Sequence, residues 1–243
     1  MAYTTINKSS DYFNTKLYTG NATDDTAITG VGFTPSFLWG KNRTDATNHY
    51  FIDAVRGVTK EINSNNSDAE GTDATLIKSF DSDGFTLGNG SLNQSSKDFV
   101  TWNWKANGQG SANSDGSINT TYTSANTTSG FSISTVTLSG SGNQTFGHGL
   151  GVTPSLIIFK CTSHAESWKV YHSSLSSPES KYLQLNTTDE AGNASNIWGA
   201  GMTSSTVGVK VGTIGTAGQD YVAYCFAEKK GFSKFGSYTG NGN

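Results

Sequence analysis

Apolar and polar positions alternate along the chain in short runs. Over residues 98–105, Phe99, Thr101 and Asn103 fall on one face of an extended strand, and Val100, Trp102 and Trp104 fall on the other. The paired Trp residues make that second face the expected core face. Comparable runs occur at 15–21, 36–41, 49–55, 58–62, 76–80 and 84–88, and again at 136–138, 168–172, 181–185, 207–211 and 221–226. Clusters of Gly, Asn, Asp and Ser separate them, as in Asp81-Ser82-Asp83-Gly84, which is strong turn chemistry. The pattern predicts an all-β protein. Residues 1–14 are polar, with isolated Tyr3, Tyr12 and Phe13, and read as an arm that ties the chain to another body.

The pattern is used twice. Gly32, Thr34, Pro35, Ser36 and Lys41 recur in register as Gly151, Thr153, Pro154, Ser155 and Lys160. The register holds into a second strand, 49–53 against 168–172, and 221–226 aligns with 99–104. Proline fixes φ and lacks an N–H, so Pro35 and Pro154 belong where a buried strand begins. The expected fold is two tandem antiparallel β-sandwich modules, jelly-roll-like, at 15–107 and 130–230. A Ser/Gly/Asn-rich linker at 108–129 joins them, with one short strand near 118–123. At the far end, Gly231-Phe232-Ser233 repeats Gly130-Phe131-Ser132, and Tyr238-Thr239-Gly240-Asn241 repeats Tyr18-Thr19-Gly20-Asn21. Residues 231–243 are therefore read as the start of a third repeat in a longer natural product, or as a strand exchanged onto a neighbouring chain's edge.

Composition narrows the function classes. Charged residues are 14% of 243, which argues against a disordered polyelectrolyte, and aromatics at 12% supply core material. The net charge of −3 comes with no basic stripe, so no nucleic-acid partner is expected. No apolar run reaches transmembrane length and the first residues do not read as a signal peptide, so neither membrane insertion nor ordinary secretion is expected. Cys161 and Cys225 are read as buried free thiols. A disulfide would require neighbouring strands, which the sequence does not show.

Several segments resemble a family of tandem-repeat, β-rich virion proteins of marine bacteriophages, of cyanophage and pelagiphage type. They include Thr-Pro-Ser-Phe-Leu-Trp-Gly-Lys-Asn-Arg-Thr (34–44), Phe-Ile-Asp-Ala-Val-Arg-Gly-Val-Thr-Lys-Glu (51–61), Val-Thr-Trp-Asn-Trp-Lys-Ala (100–106), Tyr-Val-Ala-Tyr-Cys-Phe-Ala-Glu (221–228) and Gly-Phe-Ser-Lys-Phe-Gly-Ser-Tyr-Thr-Gly-Asn-Gly (231–242). The resemblance covers nearly the whole chain past residue 15. It implies a fibre-like or adhesin-like structural protein of the virion, assembled in the host bacterial cytoplasm, with no catalytic residues and no cofactor. The partners it implies are other virion proteins and further copies of the same chain, a trimer by analogy with the family class. Cys161-Thr162-Ser163 stands where the first repeat has Asn42-Arg43-Thr44, so that basic turn is not a feature of both repeats.

Candidate chemistry is sparse. The four His residues lack metal-ligand spacing and no Cys-x-x-Cys occurs. The acidic pairs Asp81/Asp83, Asp68/Glu70 and Asp189/Glu190 are candidate glycosidase carboxylates, but each lies in turn sequence, where Asp serves its own backbone. Arg56 is read either as a local partner of Asp53 or as a contact to a neighbouring subunit, together with Tyr12 and Phe13. Trp198, in a loop-like stretch, is the candidate contact to a host-surface glycan or a partner. The expected role is a tail-fibre or adhesin component. The alternatives are a capsid-decoration or head-fibre protein, and a glycan-binding or depolymerising module.

Overall fold

The computed structural model describes residues 4–199 and 201–241. The protein is all-β, and the only helical element among the described residues is a 3-10 turn at Ser9–Asp11. The first half forms β1 (Phe13–Thr19), β2 (Thr26–Thr29), β3 (Phe37–Asn42), β4 (His49–Asp53), β5 (Lys60–Asn63), β6 (Gly71–Thr72), β7 (Ile77–Asp81), β8 (Gly84–Leu87) and β9 (Asp98–Trp104). The second forms β10 (Tyr122–Asn126), β11 (Phe131–Thr137), β12 (Gly142–Gly147), β13 (Leu156–Cys161), β14 (Lys169–His172), β15 (Lys181–Tyr182), β16 (Gly192–Asn193), β17 (Thr206–Val211) and β18 (Asp220–Phe226).

The large sheet of the first half has the order β1-β9-β3-β4-β5-β6, and a small sheet has the order β2-β8-β7. The second half has a sheet β10-β11-β18-β13-β14 and the pairs β12-β17 and β15-β16. All these strand pairings are antiparallel. Phe37 stands opposite Trp104 in one large sheet, and Leu156 stands opposite Phe226 in the other. Pro35 and Pro154 lie just outside the ladders, before β3 and β13, where a missing N–H costs nothing.

The layers follow from which faces are apolar. Leu38, Ile52 and Phe99 of the first large sheet pack on Ile28, Ile77, Phe85 and Leu87 of the small sheet. The opposite face carries Phe37 and Phe51, which pack on Ile133, Ile158, Val170, Val222 and Tyr224 of the second large sheet. The far side of that sheet, with Ile157, Phe159 and Tyr221, packs on Phe146, Val207 and Val209 of β12 and β17. Both large sheets are thus covered on both faces, which is why 36–41 and 156–161 read as nearly continuous apolar runs.

Two expectations are corrected. On β9 both faces are packed, not one. Phe99, Thr101 and Asn103 are completely buried, while on the expected core face Val100 is buried and Trp104 packs on the join, with Trp102 and Trp104 left partly exposed because the second large sheet covers its share of the first incompletely. The stretch 108–129 is not a free tether. Ser111 bridges to Thr123, the Ile118 N–H donates to the Thr145 carbonyl at 3.0 Å, and the segment ends in β10, four residues beyond the predicted strand start. Cys161 and Cys225 are buried free thiols. They lie on paired strands, but Cys225 stands opposite Ile157, so about four residues, or roughly 13 Å of strand, separate the two along the sheet.

Candidate functional site

Where the two large sheets face each other, the contact is made largely by aromatic rings. Trp104 and Phe226, which occupy matching places in the two registers, meet at 6.1 Å. Phe37 lies 4.6 Å from Tyr224 and 5.9 Å from Phe131, and Phe51 lies 5.0 Å from Trp168. Stacked and edge-on pairs of this kind add about 0.5–1.5 kcal/mol each beyond the area they bury.

A buried polar node pins this join. The β4 end delivers Asp53 and the following turn delivers Arg56, whose Nε donates to Asp53 Oδ2 at 2.7 Å. The Tyr224 hydroxyl donates to the same oxygen, also at 2.7 Å, and Asp53 Oδ1 accepts the Val55 and Arg56 N–H groups. The rest of the guanidinium reaches Glu70 at 3.1 Å and the Phe51 carbonyl at 3.1 Å. Burial by itself would make Arg56 easier to deprotonate, but Asp53, Tyr224 and Glu70 outweigh it and hold the guanidinium more firmly charged than usual. Burial raises the Tyr224 hydroxyl well above its ordinary range. Lys160, completely buried, is a second crossing point. Its ammonium donates to the Cys161 carbonyl at 2.7 Å and the Ser67 carbonyl at 3.3 Å, and burial lowers its pKa.

The sheets part at one end of the join, leaving a cleft of about 490 Å³. Phe13, Trp39, Trp104, Leu156 and Phe226 line it, and the tail segment closes over it with Phe232 and Phe235. Phe232 lies edge-on to Tyr12 at 6.3 Å, and Phe235 lies 6.2 Å from Phe226. The tail is held there because the Glu228 carboxylate accepts the Phe235 N–H and the Lys234 ammonium, both at 3.0 Å. Residues 231–241 form no strand. Trp39 also borders an open groove of about 600 Å³ with His49, Asn65, Leu185, Asn186 and Asp189.

The candidate residues fall in different places. Phe13 lines the cleft, 4.8 Å from Trp104, and Tyr12 lies at its edge, half-buried. Arg56 is not on an outer surface. Its side chain is 4% exposed and its cross-contact is Tyr224 of the same chain, so the expectation of an inter-subunit contact is corrected to one within the chain. Trp198 is completely buried, which overturns its reading as an exposed glycan contact. The Ala194 N–H donates to the Ser180 carbonyl and the Trp198 N–H to the Glu179 carbonyl, which folds the loop inward. Its indole N–H then donates to the Lys181 carbonyl at 2.9 Å, with Tyr171 5.6 Å away. Trp39 packs on the aromatic join, 4.8 Å from Phe51, and keeps part of its indole exposed. Alternation along β3 separates Trp39 from Leu38 but does not reveal that its face is incompletely covered. Among the described residues, no group of three or more His, Cys, Asp and Glu side chains is placed to hold a metal ion. None of their helices is long and apolar enough to cross a membrane.

The fold and cleft define a layered, antiparallel β-protein whose two large sheets close on an aromatic join. Residues 8–243 match the model of a family described as a domain of unknown function, DUF7483, and the chain belongs to that family. No curated protein and no solved structure matches it.

Proposed function

We propose that the chain is a non-catalytic structural component of a bacteriophage particle, fibre-like or adhesin-like, built from two copies of one β-module packed face to face. The observation that carries this reading is the repetition itself. The four-strand order β1-β9-β3-β4 and its register recur as β11-β18-β13-β14, and Gly231-Phe232-Ser233 repeats Gly130-Phe131-Ser132. A stack of that kind transmits position and load along a fibre, and the buried Arg56 node and the aromatic join suit it to rigidity. Its partners would be other virion proteins and further copies of the chain. A mount on the capsid, as a decoration or head-fibre protein, uses the same features.

A second reading, a glycan-binding module, is favoured by one feature. The half-exposed Trp39 indole borders a groove whose other walls include His49, Asn65, Leu185, Asn186 and Asp189. An aromatic plate beside amide and carboxylate groups is the chemistry that grips the apolar face and hydroxyls of a sugar.

The deciding experiment compares binding of the purified protein to intact host cells with binding to phage particles that lack it. Binding to the deficient particles supports the structural role. Saturable binding to cells, competed by host surface glycan and lost in Trp39→Ala, supports the second reading. Binding to neither overturns both.

A further inference from the structure

The two large sheets share the order β1-β9-β3-β4 and β11-β18-β13-β14 and differ at both edges: the first extends beyond β4 into β5 and β6, and the second extends beyond β11 into β10. In the second, β10 covers the outer side of β11, with Tyr122 opposite Thr135, Ser124 opposite Ile133 and Asn126 opposite Phe131. In the first, β1 is the edge strand, and among the described residues no strand lies outside it. The Lys105 N–H donates to the Tyr12 carbonyl and the Gly20 N–H to the Lys97 carbonyl, so the even-numbered residues of β1 face β9. Phe13, Thr15, Leu17 and Thr19 therefore turn their backbone groups outward. Leu17 is also 57% exposed, an apolar side chain on a seven-residue open edge of the kind that templates pairing with another chain.

The sequence contains the missing strand. Tyr3-Thr4-Thr5-Ile6-Asn7 matches Tyr122-Thr123-Ser124-Ala125-Asn126, the β10 segment, at the same spacing that separates Pro35 from Pro154. Residues 4–7 form no strand, although Ile6 is buried and would have to leave that site on pairing elsewhere, and Met1–Tyr3 lie outside the described residues. The hairpin that returns β10 onto β11 depends on Gly130. Its φ is +74°, and a Cβ there would stand 2.5 Å from the Ala227 carbonyl oxygen. Tyr12 holds the matching place: the Lys105 N–H donates to its carbonyl as the Ala227 N–H donates to that of Gly130. Tyr12 has φ −129°, and the connection before it runs through the 3-10 turn at Ser9–Asp11. The first repeat therefore has the strand sequence and an edge that no described strand pairs, with only the outward Thr15 N–H met locally by Asn14 Oδ1 at 3.0 Å, but it lacks the glycine that would fold one onto the other within a chain.

We propose that the outer edge of β1 accepts residues 3–7 from a second copy of this chain, paired antiparallel as β10 pairs with β11. In that register Tyr3 stands opposite Leu17, Thr5 opposite Thr15 and Asn7 opposite Phe13. The exposed leucine is then covered by an aromatic ring, a favourable cross-strand pair. The occupant is the arm rather than the tail, because the tail repeats β11, the strand that receives β10, and not β10 itself. The inference stands apart from the virion reading, since it concerns only how copies of the chain join.

The test uses the full chain, a variant lacking residues 2–7, and Leu17→Lys, with circular dichroism confirming that each keeps its β signature. By sedimentation velocity the full chain forms species whose mass is a multiple of the monomer's, and each variant alone is monomeric. Mixed in equal amounts, the two variants form a one-to-one heterodimer, because each retains what the other lacks. A Tyr3→Cys, Leu17→Cys chain oxidises to disulfide-linked multimers. The proposal is overturned if the full chain stays monomeric at every concentration. It is also overturned if the armless variant associates as well as the full chain, or if the double-cysteine chain closes only on itself.

Discussion

Asp53 and Tyr224 are far apart in sequence yet share a 2.7 Å hydrogen bond, both completely buried, where the two halves of the molecule meet. The same carboxylate holds Arg56, so one acidic group anchors a turn of the first half to a strand of the second. Arg56→Met leaves Asp53 as an uncompensated buried charge and is expected to destabilise the protein by about 3–5 kcal/mol. Tyr224→Phe removes one donor and is expected to cost about 1–3 kcal/mol. The double variant should cost less than the sum, because both act on one carboxylate. Urea titration of the four proteins measures the coupling, and strict additivity would show that the node does not act as a unit.

Acid should loosen the second half. His148 is completely buried, and burial lowers its pKa below the ordinary 6.5, against weaker opposing effects of the Thr203 carbonyl and Asp115. A histidine with a depressed folded pKa binds more protons unfolded than folded just below pH 6.5. Its contribution is therefore fully present above that pH and is lost as pH falls through the folded value. His49 is shifted in the same direction, by burial and by Lys41. Melting temperature measured from pH 8 to pH 5 should fall on the acid side for the native chain and fall less for His148→Asn. Equal slopes would remove His148 from the account.

The thiols should be silent in the folded state. Burial pushes Cys225 up to about 12, so almost no thiolate exists near neutral pH. A thiol reagent at pH 8 should label Cys225 only at the rate at which the protein unfolds, with both cysteines reacting promptly in denaturant. Rapid native labelling of Cys225, located by peptide mass mapping, would contradict the packing around β18.

The tail should act as a cover. Removing residues 231–243 takes Phe232 and Phe235 off the cleft. Fluorescence of an apolar dye should rise on truncation, and Trp104→Ala in the truncated chain should reduce it again. No change on truncation would mean that the aromatic walls close over one another without the tail.

The strands were legible because they are local. The register of β3 against β4 follows from alternation between two turns, and the match of Pro35 with Pro154 exposed the second use of the pattern. What failed was long-range. Arg56 shows Asp53 three residues away but gives no sign of Tyr224, and Trp198 has loop-like neighbours although its backbone N–H is held by the Glu179 carbonyl and its indole N–H by the Lys181 carbonyl. Trp39 packs on the join as its strand position suggests, but its partial exposure was not legible: a period of two assigns a side chain to a face, whereas how far another sheet extends over that face is decided by residues more than a hundred positions away.

A join made from equivalent faces leaves a repeat protein with an identity problem, since any half could in principle dock on any other. The Asp53 node resolves it. By the register of the sheets, His172 stands where Asp53 does and Trp102 where Tyr224 does, and the repeat spacing puts Leu175 in the place of Arg56. Two first halves would bring two carboxylate–guanidinium pairs together with no phenol to receive them, and two second halves would have a phenol with neither. Only the unlike combination completes the set, so the node acts as a one-way key that fixes which half neighbours which.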